Sequence, residues 1–186
     1  MRALQGKTFT DSPDYVTSDD QHDEQKHIAN IIDRGATCHS LNIYYSMILV
    51  PLFLYGHHEK AVEIGTKMTQ TMHGMWSLRS ATMTYFYLSL AILTISLDNP
   101  SRPVEEDKME QVKKFKAEID FKRQLCDTNY GMWSLILDAL LYEVNNDFPS
   151  TMKSFEVSWL PHRPANLPHD HTKVLSHQRV KYLTHR

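Results

Sequence analysis

The sequence predicts an all-α chain, an irregular α-hairpin stack of about three helix pairs flanked by disordered tails. Three observations point there. The pentapeptide Gly-Met-Trp-Ser-Leu occurs at Gly74 to Leu78 and again at Gly131 to Leu135, each time beside a long apolar run. Trp and Met seldom recur together by chance, and internal repetition marks units that bury their faces against one another. Apolar residues recur at helical spacing, most clearly Ala61, Ile64, Gly65, Met68 and Met72. Breakers fall between the periodic runs, at Gly56, at Asp98-Asn99-Pro100 and at Asn145-Asn146-Asp147.

Each element follows from its own residues. Residues 1–26 carry Asp11, Asp14, Asp19, Asp20, Asp23 and Glu24 with few apolar neighbours, a composition that does not repay the entropy of ordering. A disordered acidic N-terminal tail is expected. The helical-repeat domain is expected over 27–158, beginning with a short helix His27 to Arg34 closed by Gly35. The first pair joins Leu41 to Tyr55, apolar almost all round with an Asn42/Ser46 polar patch, to His58 to Met72. Gly56 makes the turn, and small Ala61 and Gly65 permit close approach of the two backbones, with Glu63 and Lys67 paired outside. The second pair starts at Gly74 with Ser77 as cap, runs to Leu97, and continues as the charged Val104 to Cys126 segment. That segment keeps a narrow stripe of Val112, Phe115, Ile119 and Cys126, with Glu110/Lys114 and Glu118/Lys122 paired outside. In the third pair Ser134 caps a helix to Val144, after which Pro149 to Val157 forms a short partner. Residues 159–186, rich in His and Pro, read as a disordered tail or as the trace of a shifted reading frame.

At 186 residues the chain is long enough for one domain with a real core. A net charge of -2 offers no basic field for phosphate backbones, so nucleic acid is not an expected partner. Two widely separated cysteines, Cys38 and Cys126, and an N-terminus without an apolar signal core point to a reducing cytoplasmic setting. Leu41 to Tyr55 and Ser80 to Leu97 carry no charge and pose a membrane alternative, a membrane-associated protein with two short apolar helices in lipid. Pro51 in the first run, and Thr82, Ser89 and Ser96 on one face of the second, favour buried protein helices.

No catalytic constellation can be placed. No phosphate-cradling glycine motif occurs among the six glycines. His39 is followed by Ser40 rather than the acidic residue a phosphoacceptor histidine uses, and Cys38 beside it lacks a third orienting group. The histidines His162, His169, His171 and His177 stand in a Pro-broken tail without tetrahedral pre-organisation, and His57-His58 in a tight turn likewise. No cofactor and no metal are expected. Tyr45, Trp76 and Trp133 are the candidate protein-interaction residues, because a solenoid binds through exposed side chains on the first helix of each pair. Gly56, Ala61, Gly65, Gly74 and Gly131 are the structural repeat and turn positions.

Residues Tyr45 to Met68 resemble a tetratricopeptide-type hairpin, with Tyr45 at the aromatic position, Gly56 at the turn and Ala61 at the small position. Tyr142 and Phe155 in the third pair are placed similarly, whereas Leu49 and Gly65 depart from the pattern. More specifically, YYSMILVPLFLYGHHEKAVEIGTKM (Tyr44 to Met68), MWSLRS, TYFYLSLAIL and NYGMWSLILDAL resemble the helical region of large fungal hybrid histidine kinases. There such helices lie between a kinase-like and AAA-type ATPase part and later GAF, histidine kinase and receiver domains. The resemblance, over about Ile32 to Ser158, implies a non-catalytic connector or interaction platform in phosphorelay signalling. Implied partners are other proteins or the neighbouring domains of a longer kinase. With no polar capping helix, a bare apolar end and self-association are also expected.

Overall fold

The computed structural model describes residues 2–34, 38–72, 79–99 and 104–159. Among the described residues a short 3-10 turn, Ala3–Gln5, precedes seven helices: α1 Glu24–Asp33, α2 Cys38–Leu54, α3 His58–Thr71, α4 Arg79–Asp98, α5 Glu106–Leu125, α6 Asp127–Val144 and α7 Phe148–Trp159. No strand occurs among the described residues, so the chain is all-α. It divides into two compact units, Met1–Ala91 and Ile92–Arg186, and the residues of α4 are shared between them.

In the first unit α2 packs against α3, and Asn42 fastens the pair at its open end. Its amide donates to the Thr71 carbonyl at 3.2 Å and its carbonyl accepts from the Thr71 hydroxyl at 3.0 Å. The expected polar patch of Asn42 and Ser46 is buried. Asn42, Ser46, Leu49 and Phe53 share one side of α2 at helical spacing, and all four are buried. Phe53 continues that side toward α4, its ring 5.9 Å from Tyr87 and 5.1 Å from His58. A Cβ on Gly65 would stand 3.0 to 3.3 Å from Leu88 of α4, so the glycine makes room for a leucine on that helix.

Residues 2–23 are folded, contrary to the expected tail. Phe9 N–H donates to the Ser18 carbonyl at 2.9 Å, Thr8 Oγ1 to the Val16 carbonyl at 2.8 Å, and Arg2 pairs with Asp19 at 3.0 Å. Val16 has no exposed surface. Helix α1 begins at Glu24, before the expected His27, because Asp23 caps it by accepting from Lys26 N–H at 3.0 Å. The Glu24 carboxylate is buried and accepts from both the Thr17 hydroxyl and, at 3.2 Å, the Thr17 N–H. Acidic side chains that composition assigns to solvent here satisfy backbone donors, which is how a charge-rich segment orders without a large apolar core. Gly35 lies outside the described residues.

In the second unit α6 packs against α5 on one side and α7 on the other. Val112, Phe115 and Ile119 form the buried stripe of α5 as expected, and Leu137, Ala139 and Leu140 are buried on α6. Helix α6 starts at Asp127, so Gly131 and Ser134 lie inside it rather than at its mouth. The other copy of the pentapeptide, with Gly74, Trp76 and Ser77, falls outside the described residues.

The two units turn their hairpins in the same way. After α2, Gly56 sits at φ 80° while its N–H reaches the Phe53 carbonyl and the His57 N–H reaches the Leu52 carbonyl. After α6, Asn146 sits at φ 60° while its N–H reaches the Glu143 carbonyl and the Asp147 N–H reaches the Tyr142 carbonyl. Both are Schellman closures, and each is followed at once by the next helix. Ala61 and Thr151 occupy matching positions beyond the turns, bonding back to His57 and Asp147 respectively. This register differs from that of the repeated pentapeptide, whose spacing is much shorter.

By length and composition α4 is able to cross a membrane, with 20 residues and a mean hydropathy of 1.4, but 61% of its apolar window is buried inside the protein. Thr82, Thr84, Ser89 and Thr94 are buried along it.

Candidate interaction surfaces

The exposed large apolar side chains mark where the chain offers contact area. On α2, Ile43 is 44% exposed, Met47 43% and Leu54 49%. Their spacing places them on one side of the helix, roughly a quarter turn from the Asn42/Ser46/Leu49/Phe53 side that packs inward. Pro51 is buried and lies within α2 without ending it.

Tyr45, expected as a docking residue, is half-buried and spoken for. Lys67 Nζ stands 5.9 Å from its ring centroid, and the Tyr44 ring lies 6.5 Å away. Lys67 therefore meets an aromatic face. The salt bridges of α3 run through Lys60 instead, to Glu63 at 3.1 Å and Asp14 at 3.0 Å, which corrects the expected Glu63/Lys67 pair. Those two carboxylates raise the Lys60 pKa above the ordinary lysine range, the Asp14 hydrogen bond most of all. Trp133 on α6 is half-buried and meets Tyr130 edge-on at 5.9 Å. Trp76 lies outside the described residues. Tyr45 belongs to the first unit and Trp133 to the second.

In the second unit the α5/α6 contact is polar where periodicity alone points to solvent. Lys116 is buried and its ammonium bonds Asp120 at 2.6 Å and, across to α6, Asp138 at 2.9 Å. Asp120 also accepts from the Ser134 hydroxyl at 2.7 Å, which explains the second pentapeptide's serine: it links α5 to α6 instead of capping. Arg123 donates to Asp127 at 2.7 Å and lies 3.3 Å from Ser134. A Cβ on Gly131 would come within 2.6 Å of Asp127 Oδ1, so the glycine leaves space for that carboxylate to fold along the helix. Lys122, expected at the surface, is buried, and burial pulls its pKa below the ordinary lysine range. Beside this network Phe121 and Leu125 on α5 and Met132 on α6 are exposed.

Neither the exposed apolar sets nor the Lys116 network was singled out from the sequence, the first because α2 is apolar almost all round and the second because Asp138 lies on the next helix. Among the described residues no three His, Cys, Asp or Glu side chains converge in a way that would hold a metal ion. His39 is exposed in the first turn of α2, His57 donates to the Thr10 carbonyl at 2.7 Å, and His58 packs on Phe53. A cavity of about 480 Å³ in the second unit is lined by Ser96, Leu97, Val104, Glu106, Met109, Glu143, Val144 and Asn146, mixed in character. No protein-family model, curated protein or solved structure matches the chain.

Proposed function

We propose that this chain is a non-catalytic, tetratricopeptide-like helical segment of a fungal phosphorelay histidine kinase, acting as intramolecular connector or protein-interaction platform in the cytoplasm. The observation that carries the interaction role is the exposed row of Ile43, Met47 and Leu54 on α2. Apolar groups left in water on the outside of a helix whose other sides are packed are the usual substance of a protein contact. Two hairpins closed by the same turn support the repeat reading. Burial of most of α4 supports a protein core over a lipid-facing helix.

The test has two parts. A full-length read of the transcript from this locus decides whether the frame continues into a phosphotransfer module, as the connector role requires. Co-expression of this chain with its flanking domains then measures association directly. Ile43→Glu with Met47→Glu is expected to weaken that association at least about tenfold, because each buries a charge in an apolar contact. A frame without kinase modules ends the connector reading; undiminished association in the double variant ends the role given to α2.

A further inference from the structure

We propose that residues 2–23 form a hinged strap, latched to α2 and α3 through side chains, which opens as a unit without unfolding the hairpin beneath it. The strap is bonded first to itself. Arg2 pairs with Asp19 at 3.0 Å, Phe9 N–H meets the Ser18 carbonyl, and Asp19 accepts from the N–H groups of Gln21 and His22 at 2.8 and 2.9 Å. Ends that meet and internal bonds that close the loop make a compact surface segment able to move whole.

Its fastenings to the hairpin are of a different kind. Tyr55 donates its hydroxyl to the Ala3 carbonyl at 2.7 Å, His57 donates to the Thr10 carbonyl at 2.7 Å, and Lys60 pairs with Asp14 at 3.0 Å. At the far end the Tyr44 hydroxyl stands 3.2 Å from His22 Nε2 and 3.4 Å from Thr17 Oγ1. Every one involves a side chain and has water as a ready substitute. Apolar anchoring is slight: Ala3 and Val16 are buried, while Leu4, Phe9 and Tyr15 are exposed. Few buried apolar contacts and solvent-exchangeable bonds are the physical content of low local stability.

Where the strap is fastened gives the device its consequence. Tyr44, Ile48, Pro51 and Tyr55 share the side of α2 opposite the one that packs on α3. The two tyrosines hold the strap at the ends of that row, and between them Ile48 has no exposed surface and Pro51 is buried. Opening frees both hydroxyls at the ends of this row, while the Tyr44 ring keeps its contact with His27 of α1 at 4.7 Å. The strap's hold on the row is thus set by hydrogen bonds, and this is so whether or not the chain belongs to a kinase.

Native-state hydrogen exchange on the full chain tests it. The bonded amides of Phe9 and Ser18 are expected to exchange together, at least about tenfold faster than those of Ala61 and Met68 in α3. Tyr44→Phe with His57→Ala is expected to speed the strap amides about tenfold further and to leave α3 within about twofold. Lys60→Met, which removes one fastening, is expected to act in the same direction and less. Equal protection of strap and α3 in the unaltered chain overturns the proposal, as does a variant that speeds both alike.

Discussion

Lys116 Nζ stands 2.9 Å from Asp138 Oδ1, an ion pair that joins α5 to α6 from a lysine side chain only 11% exposed. The same ammonium holds Asp120, which in turn accepts from Ser134. A buried charge with two carboxylate partners costs little to keep and more to break from one side. Both aspartates remain partly in water, so the full penalty of an orphaned buried charge does not apply. Lys116→Ala is expected to lower stability by about 1–2 kcal/mol in urea unfolding. Lys116→Met combined with Asp138→Asn is expected to cost less than the sum of the singles, with a coupling of about 1 kcal/mol. Strict additivity would show that the pair is geometric only.

Gly65 and Gly131 are expected to respond oppositely to alanine. Both lie inside helices, where alanine is favoured over glycine by about 1 kcal/mol. At Gly65 the added methyl meets Leu88 at 3.0 to 3.3 Å from three of its atoms, including Cβ, which is fixed to the backbone of α4. Overpacking of that kind costs about 1–3 kcal/mol, so Gly65→Ala should be neutral to destabilising by about 2. At Gly131 the nearest atoms belong to the exposed end of Asp127, which can swing away. Gly131→Ala should raise the thermal midpoint while breaking the Arg123–Asp127 bond, and thermal unfolding of the two variants side by side checks both signs.

How far the sequence was legible follows from the range of the interactions involved. Helices α2 to α7 rest on local periodicity and breakers, and their existence and order were readable. The start of α3 at His58 was readable as well, that of α6 was not: α6 begins at Asp127, and its Gly131 and Ser134 serve contacts with Asp127 and with α5, which a capping pattern does not reveal. Residues 2–23 bond to Tyr44 and Tyr55 at the two ends of one side of α2, yet those residues carry no apolar period of their own. Their order comes from Asp19, Asp23 and Glu24 accepting backbone and hydroxyl bonds. Lys116 was hidden for a related reason, since its partner Asp138 lies on the next helix and not within its own helical period.

Lys122 is expected to make stability rise with pH on the alkaline side of neutrality. Burial lowers its pKa in the folded chain, so the unfolded chain binds the proton more tightly. Between the lowered folded value and the ordinary lysine range, the unfolded state carries more protons, and folding gains as pH increases. Lys60 and Tyr87 act in the opposite sense at higher pH: their raised values mean stability present below the ordinary range and lost as pH climbs through the folded value. Lys122→Met should remove the rise. Urea midpoints from pH 7 to about pH 10 distinguish this from a flat profile, which would mean that Lys122 keeps its full hydration.

The two Schellman turns supply a matched pair of substitutions. Gly56 and Asn146 occupy the same position after α2 and α6, both in the left-handed region. Glycine reaches that region without a Cβ clash, whereas asparagine tolerates it at a cost that other residues exceed. Nothing lies within 4 Å of a Cβ built on Gly56, so space is not at issue there and the backbone conformation alone decides. Gly56→Ala is therefore expected to destabilise the α2–α3 hairpin by about 1 kcal/mol. Asn146→Gly should stabilise the α6–α7 hairpin by several tenths of a kcal/mol, the gain reduced by the greater freedom of glycine in the unfolded chain. If the turns are equivalent, Gly56→Asn should cost about as much as Asn146→Gly gains. A pronounced asymmetry in thermal midpoint between these two exchanges would show that the hairpins share a turn geometry without sharing its energetics.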